Sequence, residues 1–92
     1  MSQLSQIDPQ IANLAAQETD RQNRGLTLIP SENHTSRAVL EALATTLSDK
    51  YAEGYPGRRY YSGNNVVDQL EQLVRERAKT LFGVPHVNVQ PY

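Results

Sequence analysis

The chain has 92 residues, nine basic and ten acidic, and a formal net charge of −1, so no broad field of one sign points to nucleic acid or an anionic membrane as partner. Its hydrophobic fraction is 38%, with no Trp and one Phe, a thin stock of core side chains for what is at most one small domain. The lack of cysteine excludes a disulfide scaffold, a zinc knuckle and thiol catalysis.

No apolar run approaches the roughly 18 residues needed to span a bilayer. The opening Met1-Ser2-Gln3-Leu4 lacks the basic and apolar regions of a secretory signal, so a cytoplasmic protein is the expectation. The first helix is announced by Asp8 as cap and Pro9 in the first turn, and Gly25 suits a left-handed position after its end. Ile11, Leu14 and Ala15 give it one short apolar patch, while residues 17–24 are polar, the pattern of an arm lying across another surface. The apolar run Leu26 to Ile29, stopped by Pro30, predicts a brief strand.

Ser36 then caps a second helix with Val39, Leu40, Leu43 and Leu47 facing inward. From Ser48 to Gly63 the periodicity collapses into a stretch with three Gly, one Pro and four of the five tyrosines, which predicts an ordered loop or a set of turns. A third helix follows, capped by Asn64 or Asn65. Its apolar stripe runs through Val66, Val67, Leu70, Leu73, Val74, Ala78, Leu81 and Phe82, and Gly83 and Pro85 end it. Glu71 and Arg75 are spaced as a helical ion pair, and Arg75-Glu76-Arg77-Ala78-Lys79 reads as a solvated face. Val87, Asn88, Val89 and Gln90 alternate like a strand that needs a sheet to join. The fold expectation is mainly α: three helices plus two short strand-like segments.

Two stretches carry polar chemistry. Ile29-Pro30-Ser31-Glu32-Asn33 reads as an Asx or Ser turn feeding the second helix, and its Ser hydroxyl could also hold a carboxylate or phosphate. In Lys50-Tyr51-Ala52-Glu53-Gly54-Tyr55-Pro56-Gly57-Arg58-Arg59-Tyr60-Tyr61, Gly and Pro give rigidity and close backbone approach. Its tyrosines suit ring stacking with one hydrogen bond, Glu53 suits general acid–base work, and Arg58 and Arg59 suit bidentate anion binding. A surface loop, or a patch that stacks single-stranded nucleic acid, is the plainer reading. His34 and His86 lie in different elements without cysteine or spaced carboxylates, so no metal site is expected.

The string Leu28-Ile29-Pro30-Ser31-Glu32-Asn33-His34-Thr35-Ser36 resembles the L-I-A-S-E-N-x-T-S signature of the serine hydroxymethyltransferase family, and residues 50–61 resemble its K-Y-A-E-G-Y-P-G-x-R-Y-Y signature. Glu71-Gln72-Leu73, Arg77-Ala78-Lys79, Leu81-Phe82-Gly83 and Asn88-Val89-Gln90-Pro91 follow in the family's order, so the resemblance covers about residues 8–92. Pro30, Ser62 and Tyr92 stand where the family commonly has Ala, Gly and His.

The resemblance implies a pyridoxal 5'-phosphate enzyme of the α/β aminotransferase-like type (fold type I). Such enzymes move the hydroxymethyl group of serine to tetrahydrofolate and work as homodimers with active sites at the subunit interface. Residues 1–92 would be the N-terminal arm and the start of the transferase domain, ending before the phosphate-cradling turn and the cofactor's Schiff-base lysine. Lys50 and Lys79, the only lysines, do not match that lysine.

By the same resemblance, Ser31 contacts the amino-acid substrate and Tyr51 the cofactor phosphate of the neighbouring subunit. Glu53 handles the serine hydroxyl proton close to the folate, Tyr60 packs along the folate, and Tyr61 helps position substrate and the cofactor lysine. Neither nucleic acid nor membrane is an expected partner. The chain alone is expected to be inactive. Two other readings stay open: a helical interaction protein that docks through its third helix on a full-length subunit, and one half of a split enzyme.

Overall fold

Asp8 closes one helix and opens the next. In the computed structural model, which describes residues 2–90, its backbone N–H donates to the Leu4 carbonyl at 2.8 Å while its Oδ1 accepts from Ile11 N at 3.0 Å. The helix it closes, α1 (Gln3–Ile7), is capped by the Ser2 hydroxyl; no apolar periodicity announced it in the sequence. The helix it opens, α2 (Pro9–Arg24), has the expected Asp8 cap and Pro9 in its first turn.

Two sequence expectations fail at the end of α2. Gly25 is extended (φ −112°, ψ 156°) rather than left-handed, as the chain leaves the helix directly into the irregular run 26–29. That run is not a strand: it has no ladder partner among the described residues, and it ends in a turn closed by Glu32 N–H on the Ile29 carbonyl at 3.0 Å. An apolar run does not by itself supply a neighbouring strand.

The chain divides into two units, Met1–Thr35 and Ser36–Tyr92. The second begins as the sequence indicates, with the Ser36 hydroxyl accepting from Val39 N to cap α3 (Arg37–Leu43). The helix stops at Leu43. Leu47, expected on its inward face, instead lies in a 3-10 turn, Thr46–Asp49, which the Ser48 hydroxyl ties back to the Leu43 carbonyl at 2.6 Å.

The loop after it holds the one β-ladder among the described residues. Strands β1 (Gly54–Tyr55) and β2 (Arg58–Arg59) pair antiparallel, with Gly54 opposite Arg59 and Tyr55 opposite Arg58. Pro56-Gly57 makes the two-residue turn between them, with Gly57 at φ 75°. Gly54 is obligatory: its φ is 104°, and a Cβ there would run into the Arg58 carbonyl oxygen.

The third expected helix is α4 (Asn65–Phe82), closed by a left-handed Gly83 whose N–H bonds the Lys79 carbonyl. Asn64 occupies the cap position, but its side chain does not cap. It is 3% exposed, turns its Nδ2 to the Tyr61 carbonyl at 2.9 Å, and leaves a buried Oδ1 without a partner among the described residues. Residues 84–90 form no strand, although the alternation is real in burial: Val87 and Val89 are half-buried, Asn88 and Gln90 exposed. The architecture is mostly helical with one two-stranded sheet.

No apolar side chain among the described residues is buried; along α4, Leu70 is 38% exposed and Leu81 77%. The inward faces expected for α3 and α4 are therefore uncovered here. Order in the second unit comes from polar clasps rather than from a hydrophobic core. The Tyr92 departure and the motif's Pro91 lie outside the described residues.

Candidate functional site

The loop 50–63 is held at its base by charge. Lys50 Nζ donates to the Tyr51 carbonyl at 3.1 Å and to the Ser62 carbonyl at 3.2 Å, joining the two ends of the loop. At its centre stands Arg59, whose side chain is only 5% exposed. Its Nε donates to Asp68 Oδ1 at 2.8 Å, and its Nη1 to the Ala52 carbonyl at 2.7 Å and the Gly54 carbonyl at 3.1 Å. Its Nη2 lies 2.8 Å from Glu71 Oε2, an ion pair in distance that is not aligned with an N–H.

Asp68 and Glu71 are three apart on α4 and so share the face that meets the hairpin. Asp68 also accepts the Gly57 N–H on Oδ2 at 3.1 Å. Arg59 first, then the Gly57 amide, holds the Asp68 carboxyl below the usual carboxylate range. The carboxylates of Glu71 and Asp68, in that order, push the Arg59 guanidinium up, so it stays charged.

This arrangement corrects two expectations. Arg59 is not free to bind an anion, because its donors face inward onto carboxylates and carbonyls. Glu71 does not pair with Arg75 along the helix; its carboxylate turns to Arg59. Arg58 stays exposed and is the candidate for an external anion. It borders an open cleft of about 620 Å³ together with Glu53, Tyr55, Tyr60 and Gln90. Tyr55 Oη donates to Gln90 Oε1 at 3.3 Å, which seats the 84–90 segment beside the hairpin.

On the outer side of the loop, Tyr51 Oη donates to Glu53 Oε2 at 3.1 Å. The rings of Tyr51 and Tyr61 meet edge to face, with centroids 5.2 Å apart and planes at 63°. The bond to Glu53, reinforced by its charge, raises the Tyr51 phenol above the ordinary tyrosine value, so Tyr51 is a proton donor at neutral pH. Tyr60 is 77% exposed, its ring open to solvent. Four of the sequence-predicted residues, Tyr51, Glu53, Tyr60 and Tyr61, thus share one loop, and three of them touch in a chain. A carboxylate beside a phenol and two open rings can move a proton and stack on a flat ligand.

The profile of the serine hydroxymethyltransferase family matches residues 4–92. The chain belongs to that family. Over all 92 residues it is 55% identical to a serine hydroxymethyltransferase of Acidothermus cellulolyticus and 53% identical to one of Desulfotalea psychrophila. The chain spans 22% of the length of each.

Of the remaining site candidates, Ser31 is exposed in the turn of the first unit, while the loop residues belong to the second. His34 and His86 are exposed. Among the described residues no cluster of His, Asp and Glu is placed to hold a metal, and no helix is long and apolar enough to cross a membrane.

Sequence reasoning missed the inner half of the site: Lys50 as clasp, Arg59 as hub, and Asp68 and Glu71 as its acceptors. A signal was present. Two carboxylates one helical turn apart, close in sequence after a loop bearing adjacent arginines, are a natural receiver for one of them.

Proposed function

We propose that residues 1–92 form the N-terminal part of a pyridoxal-phosphate-dependent, fold type I transferase that interconverts serine and glycine with tetrahydrofolate as one-carbon acceptor. The observation that carries this reading is the Tyr51–Glu53–Tyr61 cluster, presented on the outer face of a clasped loop in a chain that matches the family from residue 4 onward. In the homodimer the loop reaches the active site of the neighbouring subunit. The enzyme is cytoplasmic.

The residues present fit one flank of such a cofactor. Tyr51 offers a phenol proton to the phosphate group, which requires its hydroxyl to leave Glu53, since it has one proton to donate. Neither lysine is the cofactor's anchor: Lys50 is engaged by two carbonyls and Lys79 by Glu76 at 2.8 Å. Bound pyridoxal phosphate supplies the electron sink for bond breaking at the amino acid's Cα. Glu53 takes and returns the proton of the serine hydroxyl, a role for a carboxylate that already accepts from one hydroxyl. Tyr60 lies along the aromatic part of the folate, Tyr61 orients the substrate from its contact with Tyr51, and Ser31 contacts the amino acid.

The test is a chimera in which residues 1–92 replace the matching segment of the Acidothermus cellulolyticus enzyme. It is expected to bind pyridoxal phosphate and exchange serine and glycine, with Glu53→Gln lowering kcat by about 10²-fold or more. The purified 92-residue chain is expected to be inactive. A chimera that folds and binds cofactor without transferring, or a Glu53→Gln variant of full activity, overturns the reading.

A further inference from the structure

We infer that Arg59 is a positioning residue that sets the direction of the Glu53 side chain from the inner side of the loop. This rests on the reading of Glu53 as the proton-handling group and adds a residue to it.

Arg59 Nη1 joins the carbonyls of Ala52 and Gly54, the two neighbours of Glu53, at 2.7 and 3.1 Å. The Glu53 carbonyl itself accepts the Tyr60 N–H at 3.3 Å. The backbone on both sides of Glu53 and at Glu53 itself is therefore held. Gly54, with its positive φ, turns the chain immediately afterwards.

The side chain of Glu53 is left as the one free direction, and it points its carboxylate to the Tyr51 hydroxyl. The guanidinium is in turn immobilised by Asp68 and Glu71 on successive turns of α4. The planar fork is needed for this. It serves three directions at once, whereas a lysine nitrogen is a single point on a flexible stem and cannot reach both carboxylates and both carbonyls.

Arg59→Lys tests the role in two settings. In the 92-residue chain with ring-labelled tyrosine, NMR follows the Tyr51 phenol, whose titration lies above the ordinary range because of Glu53. In the variant it is expected to fall back toward the ordinary tyrosine value, the same change expected of Glu53→Gln, with helicity unchanged by circular dichroism. In the chimeric holoenzyme, kcat is expected to fall about 10- to 100-fold with KM for serine changed less than about threefold, the pattern of a misplaced group rather than lost binding.

A Tyr51 titration unmoved by Arg59→Lys overturns the inference whatever the activity. If Tyr51 moves but the Glu53→Gln chimera keeps full activity, the positioning of Glu53 stands and its proposed catalytic role fails. Should Arg59→Lys lose helicity, Asp68→Asn decides, since it keeps the arginine and removes one support: a partial shift of Tyr51 sustains the inference and no shift overturns it.

Discussion

Helices α2 and α4 are the two long helices of the chain, and they are held in opposite ways. Along α2 every side-chain bond stays within one turn of the helix or its cap. Glu18 pairs with Arg21, Asp20 with Arg24, Gln22 Nε2 donates to Glu18, and the Thr19 hydroxyl donates to the Ala15 carbonyl. Along α4 the acids of the first two turns reach out instead, to Arg59 and the Gly57 amide, nine to twelve residues away in sequence. One helix satisfies itself. The other builds a loop. Only the second kind of contact can orient a functional side chain, because it fixes one segment relative to another rather than stiffening a segment already formed.

The largest expected effect comes from breaking the hairpin that α4 grips. Gly54→Ala places a methyl group against the Arg58 carbonyl and forces a non-glycine residue to φ 104°. The cost is expected to be about 1–3 kcal/mol. Amide exchange at Tyr60, whose N–H bonds Glu53, is expected to speed up tenfold or more, with α2 untouched; unchanged Tyr60 protection contradicts the clasp.

A smaller effect is expected in α2 from Asp8→Ala, which removes the acceptor of the Ile11 N–H. Loss of such a cap costs about 1 kcal/mol, read as reduced helicity at 222 nm. Because the side-chain bonds of α2 among the described residues are local, the loss should be confined to its first turns. Loosening of the 50–63 loop in this variant would blur the contrast between the two helices.

The smallest and sharpest comparison is of two carboxylates against salt. Glu18 is held at about 2 by Arg21 and, after it, Gln22, all of them exposed. Asp68 is held low by the inward-facing Arg59 and the Gly57 amide. For both, the folded value is the lower one. The stabilisation is thus complete above the ordinary carboxylate range and is lost as pH falls through the depressed value. Raising salt to about 1 M shortens the screening length to roughly 3 Å and should move the Glu18 midpoint up toward its ordinary value. The Asp68 midpoint, followed by the Gly57 amide proton shift, should move much less. Equal salt sensitivity would place the Arg59 cluster in solvent.

Local chemistry alone located three of the four helices, the Ser36 and Asp8 caps, the Gly83 stop and the tyrosine-rich loop. Each is decided within a turn of the chain, by a hydroxyl or carboxylate reaching a nearby N–H or by a residue without a Cβ at positive φ. The family signature strings were legible for the same reason, being contiguous. Misreadings fell where a partner had to be chosen. Leu26–Ile29 and Val87–Gln90 have strand-like sequences but no ladder among the described residues, and Glu71 had two arginines within reach and took the distant one.

The loop shows the division most plainly. Its composition determined that it would be rigid, aromatic and able to carry a carboxylate. Nothing in the string Gly57-Arg58-Arg59-Tyr60 separates the two arginines, which are chemically identical neighbours. The two-residue turn and antiparallel register put Arg59 opposite Gly54 and over Asp68 and Glu71, and leave Arg58 in solvent. Successive side chains of a strand face opposite sides, so pairing one arginine with α4 exposes the other. That choice belongs to the tertiary structure, because it depends on where a helix several residues later comes to lie.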